Sequence, residues 1–244
     1  MWAGLCNKVI MVTGAGGGFG SALVKKLAKS EANVIAVARK EEQLQKLCEV
    51  DEEHVRPLML DLSDWNAVRQ ELAQLPQLDG VVNNAGVAII KPFEELTEKD
   101  INMIFEVNFK AVVNITQSLL RYGKLRESSS IVNVSSLASS RSFDGHAAYG
   151  ASKAALDSLT KSLALELAPH KIRVNSVNPT VVMTPMGIKI WSDPAKSEPL
   201  LERIPLSRFG EVDEVVETIG YLLSESSSFV NGHHLMLEGG YSVS

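Results

Sequence analysis

Two side chains in the second half of the chain could move a proton between them. Tyr149-Gly150-Ala151-Ser152-Lys153 puts a phenol and an amine at i and i+4, one turn apart on one helix face. An ammonium beside a phenol favours the phenolate and lowers its pKa from about 10. A tyrosine tuned in this way can act as general acid or base near neutrality. The spacing is common, and an exposed chance pair is the plain alternative. Other polar residues stand where strands should end: Ser136 in Asn133-Val134-Ser135-Ser136, with Ser135 as its rival, and Asn83-Asn84-Ala85-Gly86. Asn108 sits inside a predicted long helix.

A second kind of chemistry is written near the start. After an apolar run come Thr13-Gly14-Ala15-Gly16-Gly17-Gly18-Phe19-Gly20. A pyrophosphate needs a tight turn, a backbone it can approach closely, and free N–H groups at a helix N-terminus. Gly14, Gly18 and Gly20 fall where that turn requires them, between a strand and a helix. A dinucleotide site is therefore expected. The end of the second strand should carry an acid for NAD or a base for the 2′-phosphate of NADP. Arg39-Lys40 stands there, and a guanidinium can pair bidentately with a phosphate. NADP is the reading, with Glu41 or Glu42 as ribose acids the alternative. Asp61, followed by Leu62, is placed to meet the adenine, although Asp-Leu-Ser is also a plain helix cap.

These residues need elements to hold them. Strands are predicted over Val9–Thr13, Asn33–Ala38, His54–Leu60, Gly80–Asn83, Ser130–Val134, Arg173–Val177 and His234–Leu237. Helices are predicted over Gly20–Ser30, Asp64–Leu75 with Ser63 as cap, Thr97 through Asn108 toward Leu120, Ala147–Leu167 and Val212–Leu223. Strands that are apolar almost throughout are buried on both faces. The alternation predicts an α/β fold: a Rossmann-type, doubly wound, seven-stranded parallel sheet flanked by helices. The chain reads as a single domain over 1–244, with no repeat or linker. Residues 179–210, with Pro185, Pro194, Pro199 and Pro205, read as a long functional loop or lid.

Composition closes off other classes. The chain has 244 residues, 45% of them hydrophobic, and a formal net charge of −5. A sizeable core is possible and disorder is excluded. Mild acidity gives no reason to expect nucleic acid or an anionic membrane. No transmembrane segment, signal peptide or lipidation signal is read, so a cytoplasmic protein is expected. Cys6 and Cys48 alone make neither a disulfide framework nor a metal site, and they read as idle thiols.

Taken in order, the glycine turn, Asn-Asn-Ala-Gly, the helix asparagine, the serine and Tyr-x-x-x-Lys resemble the short-chain dehydrogenase/reductase family from Lys8 to about Tyr241. The resemblance implies Tyr149 as acid/base, Lys153 lowering its pKa and holding the nicotinamide ribose, and Ser136 orienting the carbonyl. Asn108 would hold a water relaying protons from Lys153. Phe19, Asn83 and Ala85 join the cofactor contacts. Asn178-Pro179-Thr180-Val181-Val182-Met183-Thr184, with Thr180 where most of the family has Gly, resembles the family's L-xylulose (dicarbonyl) reductases. So do Met186-Gly187, Trp191-Ser192-Asp193-Pro194 and His146. NADPH-dependent reduction of small α-dicarbonyls such as diacetyl, and of ketoses such as L-xylulose, is implied. Val182 would anchor the nicotinamide carboxamide, with Thr184 near the pyrophosphate. His146 and Trp191 could border the substrate, or be a solvated and a packing residue. A homotetramer is implied as well. The alternatives are a reductase of 3-oxoacyl thioesters on the same scaffold, or an NADP-binding regulator without catalysis.

Overall fold

The computed structural model describes the whole chain except Met1, Ala3, Pro185, Met186, Lys189, Ile190 and the side chain of Lys196. Its first half runs β1 (Val9–Thr13), α1 (Gly18–Ala28), β2 (Asn33–Ala38), α2 (Glu41–Cys48), β3 (Val55–Met59), α3 (Trp65–Ala73) and β4 (Leu78–Asn83). Then come α4 (Glu98–Phe105), α5 (Ala111–Arg121), β5 (Leu125–Val134), α6 (Ala147–Glu166) and β6 (Arg173–Pro179). Last are α7 (Pro194–Leu201), α8 (Val212–Leu223) and β7 (His234–Leu237). The seven strands form one parallel sheet in the order β3-β2-β1-β4-β5-β6-β7.

Why the strands are apolar throughout is visible in β1. Ile10 and Val12 pack on one face with Leu23 and Leu27 of α1 and Val216 and Ile219 of α8. Met11, between them, packs on the other face with Val68 and Leu72 of α3 and Ile115 and Leu119 of α5. Alternate side chains thus enter different cores, and both are dry. The strand order reverses between β1 and β4, and it is outside such a point that the C-terminal ends of parallel strands leave a crevice.

Several predicted elements differ from the observed ones. α2 has no counterpart among the predicted helices. It is a short helix held by Leu44 and Leu47. The helix predicted through Asn108 is interrupted by a wider π turn at Glu106–Lys110, so α4 and α5 are separate pieces. Ser63 is not the cap of α3. Asp64, the residue directly before that helix, accepts from the N–H groups of Asn66 and Ala67 at 3.1 and 2.9 Å. Ser63 instead donates to Asp61 through its N–H (3.0 Å) and hydroxyl (2.8 Å). β5 begins earlier than predicted, and the register slips between Leu78 and Gly80 where it does so. Residues 179–210 contain α7, capped by Asp193 with Pro194 in the first turn. An isolated bridge between Val182 and Gly210 closes the segment at its base.

Candidate active site

The glycine turn works by close approach. Gly14 has φ +64°, a conformation that favours glycine, and a Cβ there would lie 2.8 Å from the Cα of Ala85. A Cβ on Gly20 would lie 2.2 Å from the carbonyl oxygen of Gly14. The turn is therefore packed against the segment after β4. Thr13 and Asn84 fasten the two together. Asn84 Nδ2 donates to the carbonyls of Thr13 and Gly14 (2.9 and 3.1 Å), and Thr13 Oγ1 accepts from the N–H groups of Asn84 and Ala85. Gly17, the N-cap of α1, brings no side-chain cap, so the first N–H groups of that helix face the turn without a protein side chain on them. That is the cradle a pyrophosphate fits.

Beyond β2, Arg39 and Lys40 are exposed, and Glu41 and Glu42 occupy the first turn of α2, where carboxylates suit the helix dipole. Arg39 faces Asp61: its charge helps hold that carboxyl below the usual range, after the larger effect of the two Ser63 hydrogen bonds. Arg39 also borders a cavity of ≈ 560 Å³ with Ser63, Val87, Asn102, Met103 and Val107. Leu62 and Phe19 turn their side chains into the two cores, so any contact Leu62 makes outward is through its backbone. Asn83 is buried and donates to Asn133 Oδ1 at 2.8 Å, and Asn133 donates in turn to Thr160. It braces β4 against β5 and α6 rather than lining open space.

The carboxyl end of β5 and the first two turns of α6 bring Ser135, Ser136, Tyr149 and Lys153 together. Ser135 is buried, its hydroxyl on the carbonyl of Lys153 and its N–H on the carbonyl of Val177. Ser136 is half-buried and turned to Tyr149, where its hydroxyl lowers the phenol's pKa. Burial has the larger effect and pushes the phenol above its ordinary value. The net shift in the ligand-free protein is therefore upward, opposite in direction to the lowering expected from Lys153. The Lys153 Nζ is 5.8 Å from the centre of the Tyr149 ring and donates to the carbonyl of Val134 at 2.7 Å. Lys153 is itself buried, which brings its pKa down to about 8, with Asp157 acting in the opposite direction.

Asn108 lies in the π turn with no exposure. Its Oδ1 accepts from the N–H of Val87 at 2.8 Å, and its Nδ2 donates to the carbonyl of Val87 (2.9 Å) and to Ser152 Oγ (3.0 Å). Both amide protons are engaged, so the side chain is not free to donate to a relay water. Gly86 leaves room between Asn108 and Lys153: a Cβ there would be 3.4 Å from Asn108 Oδ1 and 3.6 Å from Lys153 Nζ.

The substrate side is bordered by aromatic rings. His146 stacks tilted on Phe143 (5.5 Å) and edge-on to Tyr149 (6.1 Å). Its Nδ1 is 2.7 Å from the carbonyl oxygen of Asp144. Trp191 packs on Phe209 at 5.8 Å within a small apolar cluster that includes Leu137, Ile204 and Tyr241. The 179–210 segment therefore rests on the turn that follows Ser136. Val182, whose backbone N–H and carbonyl would be the groups to anchor a carboxamide, has its carbonyl already accepting from Thr184 N–H at 2.8 Å. Thr184 Oγ1 accepts from Gly187 N–H at 3.0 Å. Met186 lies outside the described residues.

Comparison with known proteins agrees with this geometry. A family profile described as enoyl-(acyl carrier protein) reductase matches residues 14–242. The L-xylulose reductase of Bos taurus is 47% identical over 238 residues, covering 97% of each chain. The D-erythrulose reductase of Gallus gallus is 46% identical over 235 residues, covering 96% of this chain and 95% of its own. A gluconate 5-dehydrogenase from Burkholderia cenocepacia, solved with NADP and tartrate, superposes with a TM-score of 0.90 at 28% identity, over 98% and 97% of the two chains. The chain belongs to the short-chain dehydrogenase/reductase family. It is an oxidoreductase acting on CH–OH and C=O groups.

Within that family architecture, residues outside the predicted set also shape the site. Thr13 and Asn84 hold the glycine turn, and their strand-end positions beside the glycines and Asn83 were the available signal. Ser152 links Asn108 to α6 and donates to the Tyr149 carbonyl at 2.7 Å. Asp157 and Asn178, both buried, face each other behind Ser136. Asn178 opens a segment singled out in the sequence, but nothing local pairs it with Asp157, because the contact joins α6 to β6.

Proposed function

We propose that the protein is an NADPH-dependent carbonyl reductase of small ketoses and α-dicarbonyls, with Tyr149 as general acid. The observation that carries this reading is the convergence of Ser136, Tyr149 and Lys153 at the strand ends beside the glycine cradle. A nicotinamide bound there supplies a hydride to the carbonyl carbon. The Ser136 hydroxyl donates to the carbonyl oxygen as negative charge develops on it. Tyr149, held protonated through the neutral range by its burial, delivers the proton that completes the alcohol. Lys153 places a cation between the phenol and Asn108 and would hold the nicotinamide ribose. Gly14, Gly18 and Gly20 would admit the pyrophosphate. Arg39, with Lys40, would meet a 2′-phosphate, which Glu41 and Glu42, drawn into α2, leave uncontested. Asp61 would meet the adenine, while Val182 and Thr184 would flank the carboxamide and pyrophosphate. The Burkholderia neighbour, solved with NADP, supports the same cofactor class.

His146 refines the substrate. A carbonyl can only accept, so the Asp144 carbonyl requires the proton of the neutral ring to sit on Nδ1. Nε2 is then an acceptor. It suits the hydroxyl of a hydroxyketone better than the second oxygen of a dicarbonyl, in keeping with the names of the L-xylulose and D-erythrulose reductases. Residues 179–210, with Trp191, would form the lid. The reading includes a homotetramer in the cytoplasm. Among the described residues no helix is long and apolar enough to cross a membrane. Ile101, Met103 and Tyr122, exposed on and just after α4 and α5, offer apolar surface for assembly.

A panel of substrates with both cofactors tests this. Purified protein should oxidise NADPH with L-xylulose or diacetyl far faster than NADH, and Tyr149→Phe should abolish turnover while retaining NADPH binding. A faster rate with NADH would defeat the Arg39 argument. The description of the matching family profile favours a second reading, a reductase of acyl thioesters. Turnover of an acyl thioester with none of L-xylulose or diacetyl would establish it instead. His146→Phe should lower kcat/KM for L-xylulose about tenfold or more, the scale of one hydrogen bond, and leave diacetyl nearly unchanged. Equal losses on both substrates would remove His146 from recognition.

A further inference from the structure

Behind the reactive set lies a polar cluster that the proton and hydride chemistry does not use. Asp157 follows Lys153 by one turn on the same face of α6 and is 9% exposed. A carboxylate so buried is costly unless partnered. Asn178 of β6 donates to its Oδ2 at 2.8 Å, and Ser176 Oγ lies 3.4 Å from its Oδ1. His234 of β7 comes within 3.8 Å of the same oxygen.

The histidine is not the cation that balances it. Ser176 gives its proton to Asn178 Oδ1 at 2.7 Å, so toward His234 Nδ1, 2.8 Å away, it can only accept. Nδ1 therefore carries the proton, and Nε2 is buried with no partner among the described residues. Burial disfavours a charged ring; Asp157 pulls the other way, but Lys161 and His233 add to burial and the net shift is downward. Of the two lysines one turn from Asp157 on α6, Lys161 is exposed and Lys153 is buried with it, so the buried cation is the Lys153 ammonium.

Asn178 carries the second half of the arrangement. Besides Asp157, its Nδ2 reaches the carbonyl of Ser136 at 3.3 Å and Ser139 Oγ at 3.1 Å, the two ends of the turn after β5. We propose that Asp157 is a positioning residue of this site, the counter-charge of Lys153 and, through Asn178, the anchor of the strand end that bears Ser136. The inference rests on Ser136, Tyr149 and Lys153 doing the chemistry.

Asp157→Asn keeps the shape and an acceptor for Asn178 but removes the charge. Loss of a negative neighbour disfavours the ammonium, so the alkaline limb of kcat/KM should move to lower pH by about one unit. The Lys153 ¹³Cε resonance, titrated in the ligand-free protein, should move in the same direction. Asp157→Glu should restore both, and Lys161→Met, an exposed control, should move neither. Asn178→Ala should lower kcat about tenfold with the limb in place, separating the anchor from the charge. An unmoved limb and an unmoved Lys153 titration in Asp157→Asn overturn the counter-charge. Should that variant not fold, Asn178→Ala decides, and an unchanged kcat there overturns the anchor. Tyr149→Phe is assayed in parallel. If it stays active, the reading of the site has failed whatever Asp157 does.

Discussion

Lys153 holds its charge at a cost. Folding removes the ammonium from water and leaves it one hydrogen bond, to the carbonyl of Val134 at 2.7 Å, with the Asp157 carboxylate only partly offsetting the loss. Its pKa consequently falls from 10.5 to about 8. Between those two values the unfolded chain binds more protons than the folded one, so stability rises with pH across that window. Below about pH 8 the full penalty, on the order of 3 kcal/mol, is present. Lys153→Met removes it and forfeits one hydrogen bond worth about 1–2 kcal/mol. The ligand-free variant should melt about 3–6 °C higher at pH 7, the gain should shrink by pH 10, and turnover should be gone. A lower melting temperature at pH 7 would mean that the Val134 bond outweighs desolvation. On the proposed mechanism the same group would set the reaction's pH dependence. With Lys153 required charged and Tyr149 protonated, kcat/KM should hold through neutrality and fall above about pH 8. The Tyr-x-x-x-Lys spacing and the strand-end serines are legible in the sequence because each depends on one element. The direction of the phenol's shift is not, because it depends on what covers the ring.

The π turn at Glu106–Lys110 shows the same limit for elements. Apolar periodicity runs on from α4 to α5, and a helix through Asn108 is the natural reading. The interruption comes from outside the helix: the Asn108 amide answers both backbone groups of Val87, 21 residues away in the chain. Such a bond leaves no periodic trace. Asn108→Leu would bury the Val87 N–H and carbonyl without partners and free Ser152 from the π turn. At about 1–3 kcal/mol for each unsatisfied group, the loss should be about 2–5 kcal/mol. Urea unfolding would read it directly. A midpoint within error of the parent would show that Val87 finds water instead and that Asn108 does not hold the turn. α2 was missed for a related reason. Eight residues with two buried leucines barely exceed a chance pattern, and its acidic first turn reads equally well as a pair of ribose-binding acids.

At the scale of the molecule, the sheet order follows from the alternation of strands and helices, whereas the fastening of the chain's start does not. The net charge of −5 is likewise an aggregate, within which Arg39 and Lys40 stand as a local basic pair at the end of β2. Trp2 precedes β1 at the amino ends of the strands, away from Ser136 and Tyr149 at the carboxyl ends, and it ties α1 to α8. Its ring fills the space that a side chain on Gly220 would need, a Cβ there lying 2.2 Å from it. Its indole N–H donates to Glu217 at 2.6 Å, its backbone N–H donates to Ser30 Oγ at 3.1 Å, and the Lys26 ammonium lies 5.4 Å from the ring centre. Lys26 and Glu217 also pair directly. Because the ring is half-buried, Trp2→Ala should cost about 2 kcal/mol, below the 3–5 of a fully buried tryptophan. For a domain of this size that is a fall of about 4–8 °C in Tm. kcat and KM should hold, since the proposed site lies at the carboxyl ends of the strands and Trp2 at their amino ends. Trp2→Phe should recover most of the stability, having the ring but not the indole N–H. If Trp2→Ala melts with the parent, the contact between α1 and α8 stands without the tryptophan. If its kcat falls while Tm holds, the two ends of the strands are coupled in a way that the two separate cores do not provide.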